Sequence, residues 1–262
     1  MNKYLKLWVK TFALELSSDM AYKGNFIVKS LGLILADLIG PIVMLLIYAN
    51  SLGIPGWGFE EFILFQGTFI LVMGLSHAFL FIFPFQVIEN VRHGTFDKFL
   101  VKPFNTMLYL TFSSIDIEGF AEVFVGLVLI IWAFIKLNLI ILSFNTLLYL
   151  FMIVIAFIFM YSLMVLISSL SFLFVKSLGL FDLLFKLTDV SRYPMNIYGF
   201  EMRLIFTFIL PVAVISFYPA SALLGTLNIL NLALISMPVI AFLIFSIIMW
   251  NLAMKKYTSS GG

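Results

Sequence analysis

Cysteine is missing altogether from the sequence, which excludes disulfides, thiolate metal sites and cysteine nucleophiles. Charge is scarce as well. Asp, Glu, Lys and Arg together make up 11% of the chain, against about 25% in soluble domains. A domain of 262 residues needs more polar surface than that to stay dispersed in water, so a soluble enzyme is ruled out. Histidine occurs only twice and never in a His-Glu-x-x-His run, which makes a zinc site an unsupported reading. Gly-Lys never occurs as a dipeptide, so the sequence carries no phosphate-binding loop motif. Ser113-Ser114 and Ser168-Ser169 have no histidine base placed beside them, which speaks against serine hydrolysis. A net charge of +2 is too small to point to a nucleic-acid partner.

What the chain does have is apolar sequence. Hydrophobic residues account for 63% of it, and phenylalanine alone occurs 31 times, so the lipid bilayer is the expected solvent. Residues 1–25 read as an N-terminal interfacial amphipathic helix. Leu5, Trp8, Val9, Phe12, Ala13 and Leu16 recur at helical spacing, with Lys3, Lys6 and Lys10 on the other side. Those lysines also interrupt the first apolar residues, so the segment does not read as a cleaved signal peptide. Residues 26–258 form an all-α integral membrane domain of six transmembrane helices, expected near 30–49, 62–84, 119–135, 147–174, 204–222 and 233–252. Residues 217–230, with Pro219, Gly225 and Asn228, are expected to form a broken or re-entrant connection between the fifth and sixth. The tail at 259–262 has the composition of a cloning remnant and is set apart.

Orientation follows from the basic residues. With the N-terminus cytoplasmic and six spans, fourteen of the fifteen Lys and Arg residues fall on the inner side, and only Lys136 lies outside. Both termini are then cytoplasmic in a multi-pass cell-membrane protein. The longest inner segment has about thirty residues, below the roughly 50 of the smallest independent domains. No ATP-hydrolysing domain fits within this chain.

The densest polar stretch is 87–103, between the second and third expected spans. Gly94 permits a turn that a side chain would obstruct. Asp97 and Lys98 open a short amphipathic segment, whose Phe96, Phe99, Leu100 and Val101 suit a groove on a partner. Pro103 ends it. An ordinary surface loop has the same composition. In the inner loop 176–203, Asp182, Lys186 and Asp189 form one polar stripe, readable as a helix beside a cytoplasmic partner or as an interfacial tether. Asp37 lies mid-span, where an acid costs about 2.5–3.5 kcal/mol to insert. It is either a residue of a substrate path or subunit seam, or a protonated packing group. Asp116, Glu118 and Glu122 cluster where the third span begins, either as a paired carboxylate site or as end-of-span charges met by Lys or Arg. His77, alone on an apolar helix, reads as a hydrogen-bonded packing group.

The run Arg92-x-Gly94-x-x-Asp97-x-x-Leu100-x-x-Pro103 after a second span resembles permease subunits of type-2 ABC exporters. Arg192-Tyr-Pro194 with Tyr198, then Pro211-x-Ala213 and Tyr218-Pro219, extend the likeness over the whole layout. The resemblance implies that the loop after the second span is a cytoplasmic coupling helix seated in a cleft of an ATPase subunit. Glu89, Arg92, Gly94, Asp97 and Lys98 would then lie at that contact. It further implies two cytoplasmic ABC ATPase subunits that hold ATP and Mg, a second permease (identical or related), no cofactor in this chain, and export rather than catalysis. The rival from another class is a stand-alone ion-coupled carrier or an intramembrane enzyme. Ion coupling predicts paired ionisable groups deep in several spans, and only Asp37 is clearly central in the sequence.

Overall fold

A computed structural model of the chain describes residues 3–51, 53–174 and 177–258, and every regular element among them is helical. Lys176, counted above among the inner charges, and the tail at 259–262 lie outside the described residues.

Helix α1 (Lys3–Ala21) has no buried residue, as befits a helix laid on a surface. Five helices are long and apolar enough to cross a membrane: α2 (Lys23–Asn50), α3 (Phe59–Leu80), α7 (Gly119–Lys136), α8 (Phe144–Leu170) and α12 (Ile229–Met254). Between α3 and α7 come α4 (Ile82–Arg92), α5 (Asp97–Leu100) and α6 (Thr106–Phe112). Helix α3 is the axis of the bundle. Every residue from 62 to 74 is buried, so no face of that stretch meets lipid.

Glycine brings α7 onto α3. Gly67 and Gly74 on α3 interdigitate with Gly119 and Gly126 on α7, each pair seven residues apart. A Cβ on Gly74 would lie 2.6 Å from the Val123 nitrogen, and one on Gly126 2.6 Å from the Leu71 nitrogen. Small residues let membrane helices pack backbone to backbone in this way, where apolar burial supplies little drive. On its other side α3 packs on α8, and α8 in turn on α12.

The fifth expected span, 204–222, is not a continuous helix. It breaks into α10 (Phe200–Leu204), a π-helical turn (Ile205–Ile209), a 3-10 turn (Val212–Val214) and α11 (Phe217–Leu223). Pro211 lacks the N–H a continuing helix would need, and Pro219 falls in the first turn of α11, where that N–H has no partner anyway.

The bundle is traversed instead by α9 (Ser177–Lys186) and the 3-10 helix Leu187–Arg192, which the sequence reading had placed in an inner loop. Phe181 packs on Phe85, with ring centroids 4.6 Å apart. Phe185 stacks on His77 at 6.1 Å. The Arg192 guanidinium lies 4.7 Å over the Phe69 ring. Asn196 sits 3.1 Å from where a Cβ of Gly56 would be, in the α2–α3 connection. These contacts climb α3 from its last turn past its first, so the segment runs antiparallel to α3 for its whole length.

Residues 200–223 then form a hairpin at the far end, dipping back toward mid-bundle. Its tip is fastened to one residue: Ser191 Oγ donates to the Val212 carbonyl at 2.8 Å, and Ser216 Oγ donates to the Ser191 carbonyl at 2.5 Å. The return arm brings Phe217 against Trp57 at 6.0 Å. The re-entrant element is therefore larger than expected and begins before 217. The five long apolar helices and this segment make six passes along the bundle, with both described ends at the same end of it. Of the basic residues, Lys186 and Arg192 move into the crossing and Arg203 to the far end.

Candidate functional site

Two sites emerge, one at the terminal end of the bundle and one inside it. At the terminal end the chain leaves α4 through a tight turn. Gly94 has φ +65°, a left-handed conformation that favours glycine. Arg92 and Glu89 form a loose pair at 3.6 Å, and His93 Nε2 lies 3.1 Å from the same carboxylate. Arg92 and His93 are more than half-exposed and Glu89 somewhat less, and Lys98, whose ammonium lies 5.1 Å over the Phe99 ring, is exposed too. Asp97 begins the one-turn α5. So Glu89, Arg92, Gly94, Asp97 and Lys98 do gather at one turn.

The apolar half of the expected docking segment divides. Phe96 is fully buried, packed on Phe172 at 5.0 Å and Tyr257 at 5.5 Å, and Phe99 is buried too. They anchor the turn to the bundle. Only Leu100 and Val101 remain outward, Val101 82% exposed. Helix α1 is fastened to the same place: Lys3 Nζ donates to the Pro103 carbonyl at 2.9 Å, and the Tyr4 ring meets Phe104 at 5.5 Å.

The acids at the start of α7 part company. Glu118 pairs with Lys29 of α2 at 3.0 Å, the end-of-span arrangement expected for it. Burial pushes the Asp116 carboxyl above its ordinary range. Glu122 turns inward, is 2% exposed, and meets His77 Nδ1 at 2.7 Å. His77 is thus the hydrogen-bonded packing group the sequence suggested, with a buried carboxylate as its partner.

Inside the bundle, Asp37 is buried on the inner face of α2 with Ser30, Pro41 and Met44. Its Oδ2 has no hydrogen-bond partner, and Pro41 has no N–H to offer its backbone carbonyl. The charged groups that act on it are Glu122, Arg192 and His77. Arg192 arrives from the crossing segment, with Nε bonded to Asp189 at 2.9 Å and its side chain 35% exposed. Gln66 of α3, 3% exposed, fixes the backbone there by donating Nε2 to the Arg192 carbonyl at 2.7 Å. Sequence reasoning missed Gln66 and noted Arg192 as part of the Arg192-Tyr-Pro194 run. Gln66 was a lone amide in an apolar run, and Arg192 was assigned to the wrong depth.

Asp182, Lys186 and Asp189 share an exposed face of the crossing segment rather than of a surface loop. Among the described residues no group of three or more potential metal ligands is present.

A family model described as ABC-2 family transporter protein matches residues 32–261. No curated protein and no solved structure matches the chain.

Proposed function

The chain belongs to the ABC-2 transporter family, and from that premise we propose that it is the translocation subunit of an exporter driven by separate ATPases. At family level it is a multi-pass membrane permease, and the apolar helices agree. The finer reading assigns it two cytoplasmic ABC ATPase subunits, which hold ATP and Mg, and a second permease. It also places both termini in the cytoplasm. Ten described Lys and Arg residues lie at the terminal end against Lys136 and Arg203 at the far end, so the positive-inside bias supports that orientation.

One observation carries the reading. The charged turn at Gly94 ends α4, which continues from α3, and the chain returns from it through α5 and α6 to α7, whose backbone touches α3. An ATPase pressing on Arg92, Lys98, Leu100 and Val101 would displace α3 and α7 together, because the glycine seam sets their backbones against one another. The polar stripe on α9 supports the second permease. Charges facing lipid cost about 2.5–3.5 kcal/mol each near mid-span, so Asp182, Lys186 and Asp189 call for a protein or aqueous neighbour.

The test is co-expression with the ATPase and purification in mild detergent, with a photocrosslinker in place of Val101. Wild type should carry the ATPase and crosslink to it. Arg92→Ala should lower its recovery several-fold while the permease stays inserted. Full recovery with Arg92→Ala and no crosslink would overturn the assignment of this turn.

A further inference from the structure

Between α2 and the crossing segment lies a cavity of about 370 Å³. One wall is the α2 face made by Ala36, Gly40 and Val43, which recur at helical spacing; Gln66, Arg192 and Tyr193 form the other. The first wall is apolar. The second presents a guanidinium whose Nε is taken by Asp189 and whose face rests on Phe69, with 35% of the side chain exposed. Gly40 matters to the shape: a Cβ there would lie 3.1 Å from Gln66 Oε1, so its absence leaves room for the amide at the cavity edge.

We propose that this cavity binds the anionic headgroup of an amphiphile, with Arg192 as the headgroup ligand and α2 as the bed for its chain. The proposal rests on the permease reading and deepens it by naming the chemistry of the bound molecule. A guanidinium fork matches the paired oxygens of a phosphate or carboxylate and is less strongly hydrated than an ammonium. Its seat on the Phe69 ring beside the buried Gln66 lowers the competition of water for those oxygens. Two carboxylates face Arg192. Asp189 orients it from its own helix through Nε, and Asp37, on the buried face of α2 and outside the cavity lining, lies near enough to interact with it electrostatically. Among the described residues the ion pair Arg192 makes is through Nε, not through its outer nitrogens.

The test uses the full-length permease alone in phosphatidylcholine nanodiscs, with native mass spectrometry counting bound molecules. Dodecyl phosphate should bind wild type at least tenfold more tightly than Arg192→Gln, and dodecyltrimethylammonium should not bind at the site. Val43→Trp, which fills the apolar wall without touching the fork, should lower dodecyl phosphate binding as well. A parallel arm adds phosphatidylglycerol to the discs. Retention of that lipid through Arg192 makes the bilayer the source of the ligand, whereas retention of dodecyl phosphate alone makes it a separate amphiphilic cargo. Equal binding to wild type and to folded, monodisperse Arg192→Gln would overturn the site, as would equal binding of the cationic probe. No ATPase is present, so failure of the ATPase partnership and failure of this site are read separately.

Discussion

Helices α3 and α7 meet through four glycines, whereas the crossing made by α9 and residues 187–192 meets α3 through aromatic rings, a guanidinium and a backbone carbonyl. At its glycines the first contact sets backbone against backbone, which fixes its register tightly. The second is made of side chains that hop between rotamers, over a segment that changes from α to 3-10 geometry at Leu187. Driven motion of this permease is thus expected as sliding of the second contact around a fixed first one. The difference also explains where the polar groups are. Arg192, Gln66 and Asp37 gather at the adjustable side of α3, while among the described residues the α3–α7 contact carries the short bond of half-buried His77 to buried Glu122.

The sharpest way to break the comparison is to ask whether the second crossing exists. A cysteine at Asn196 should react with an impermeant reagent from the same side as cysteines at Ser51 and Asn145, and oppositely to one at Thr258. Labelling of Asn196→Cys from the Thr258 side would restore the inner loop and the span at 204–222. Next in size is Gly74→Val. Its side chain would collide with backbone rather than with a movable group, so the loss should exceed the 1–3 kcal/mol typical of overpacking. Little monodisperse permease should be recovered; a normal melting temperature would show that the seam is not rigid.

Ser191→Ala probes the adjustable side more gently. It removes one bond to the hairpin tip and leaves the Val212 carbonyl without that donor, a cost of about 1–3 kcal/mol. The permease should fold and insert, with faster hydrogen exchange confined to the hairpin. Exchange that rises equally in α3 and α7 would mean the two contacts are not independent. The smallest effect is expected from Asp37→Asn, which keeps shape and hydrogen-bonding ability. Insertion should not change, and transport normalised to inserted protein should shift only if the carboxylate serves the path. Unchanged transport in both Asp37→Asn and Asp37→Leu would make it a packing residue.

Most of the bundle was legible in the sequence because length and apolar content report lipid contact directly, and α2, α3, α7, α8 and α12 have both. The turn at Gly94 was legible for a different reason, since charge density and a glycine before a proline describe a stiff surface element whatever lies beneath it. The fifth crossing was hidden because hydropathy measures composition, not surroundings. Asp182, Lys186, Asp189 and Arg192 make a membrane-crossing segment look like surface, and the hairpin at 200–223 looks like a span although protein covers much of it. The glycine seam was written in the spacing of Gly67 with Gly74 and Gly119 with Gly126, but such a spacing acquires meaning only once the two helices are known to be neighbours. Arg192 and Asp37 sit 155 positions apart in the chain, and no local pattern announces that they act on one another.

The fastening of α1 has a consequence for energy flow. Lys3 and Tyr4 tie the first turn of that helix to Pro103 and Asn105, while its remaining length lies unburied. Under the proposed coupling, a stroke delivered at the Gly94 turn would therefore drag an amphipathic cylinder through the headgroup layer. Part of the work would be dissipated as lipid friction, and the viscosity of the inner leaflet would act as a brake on turnover.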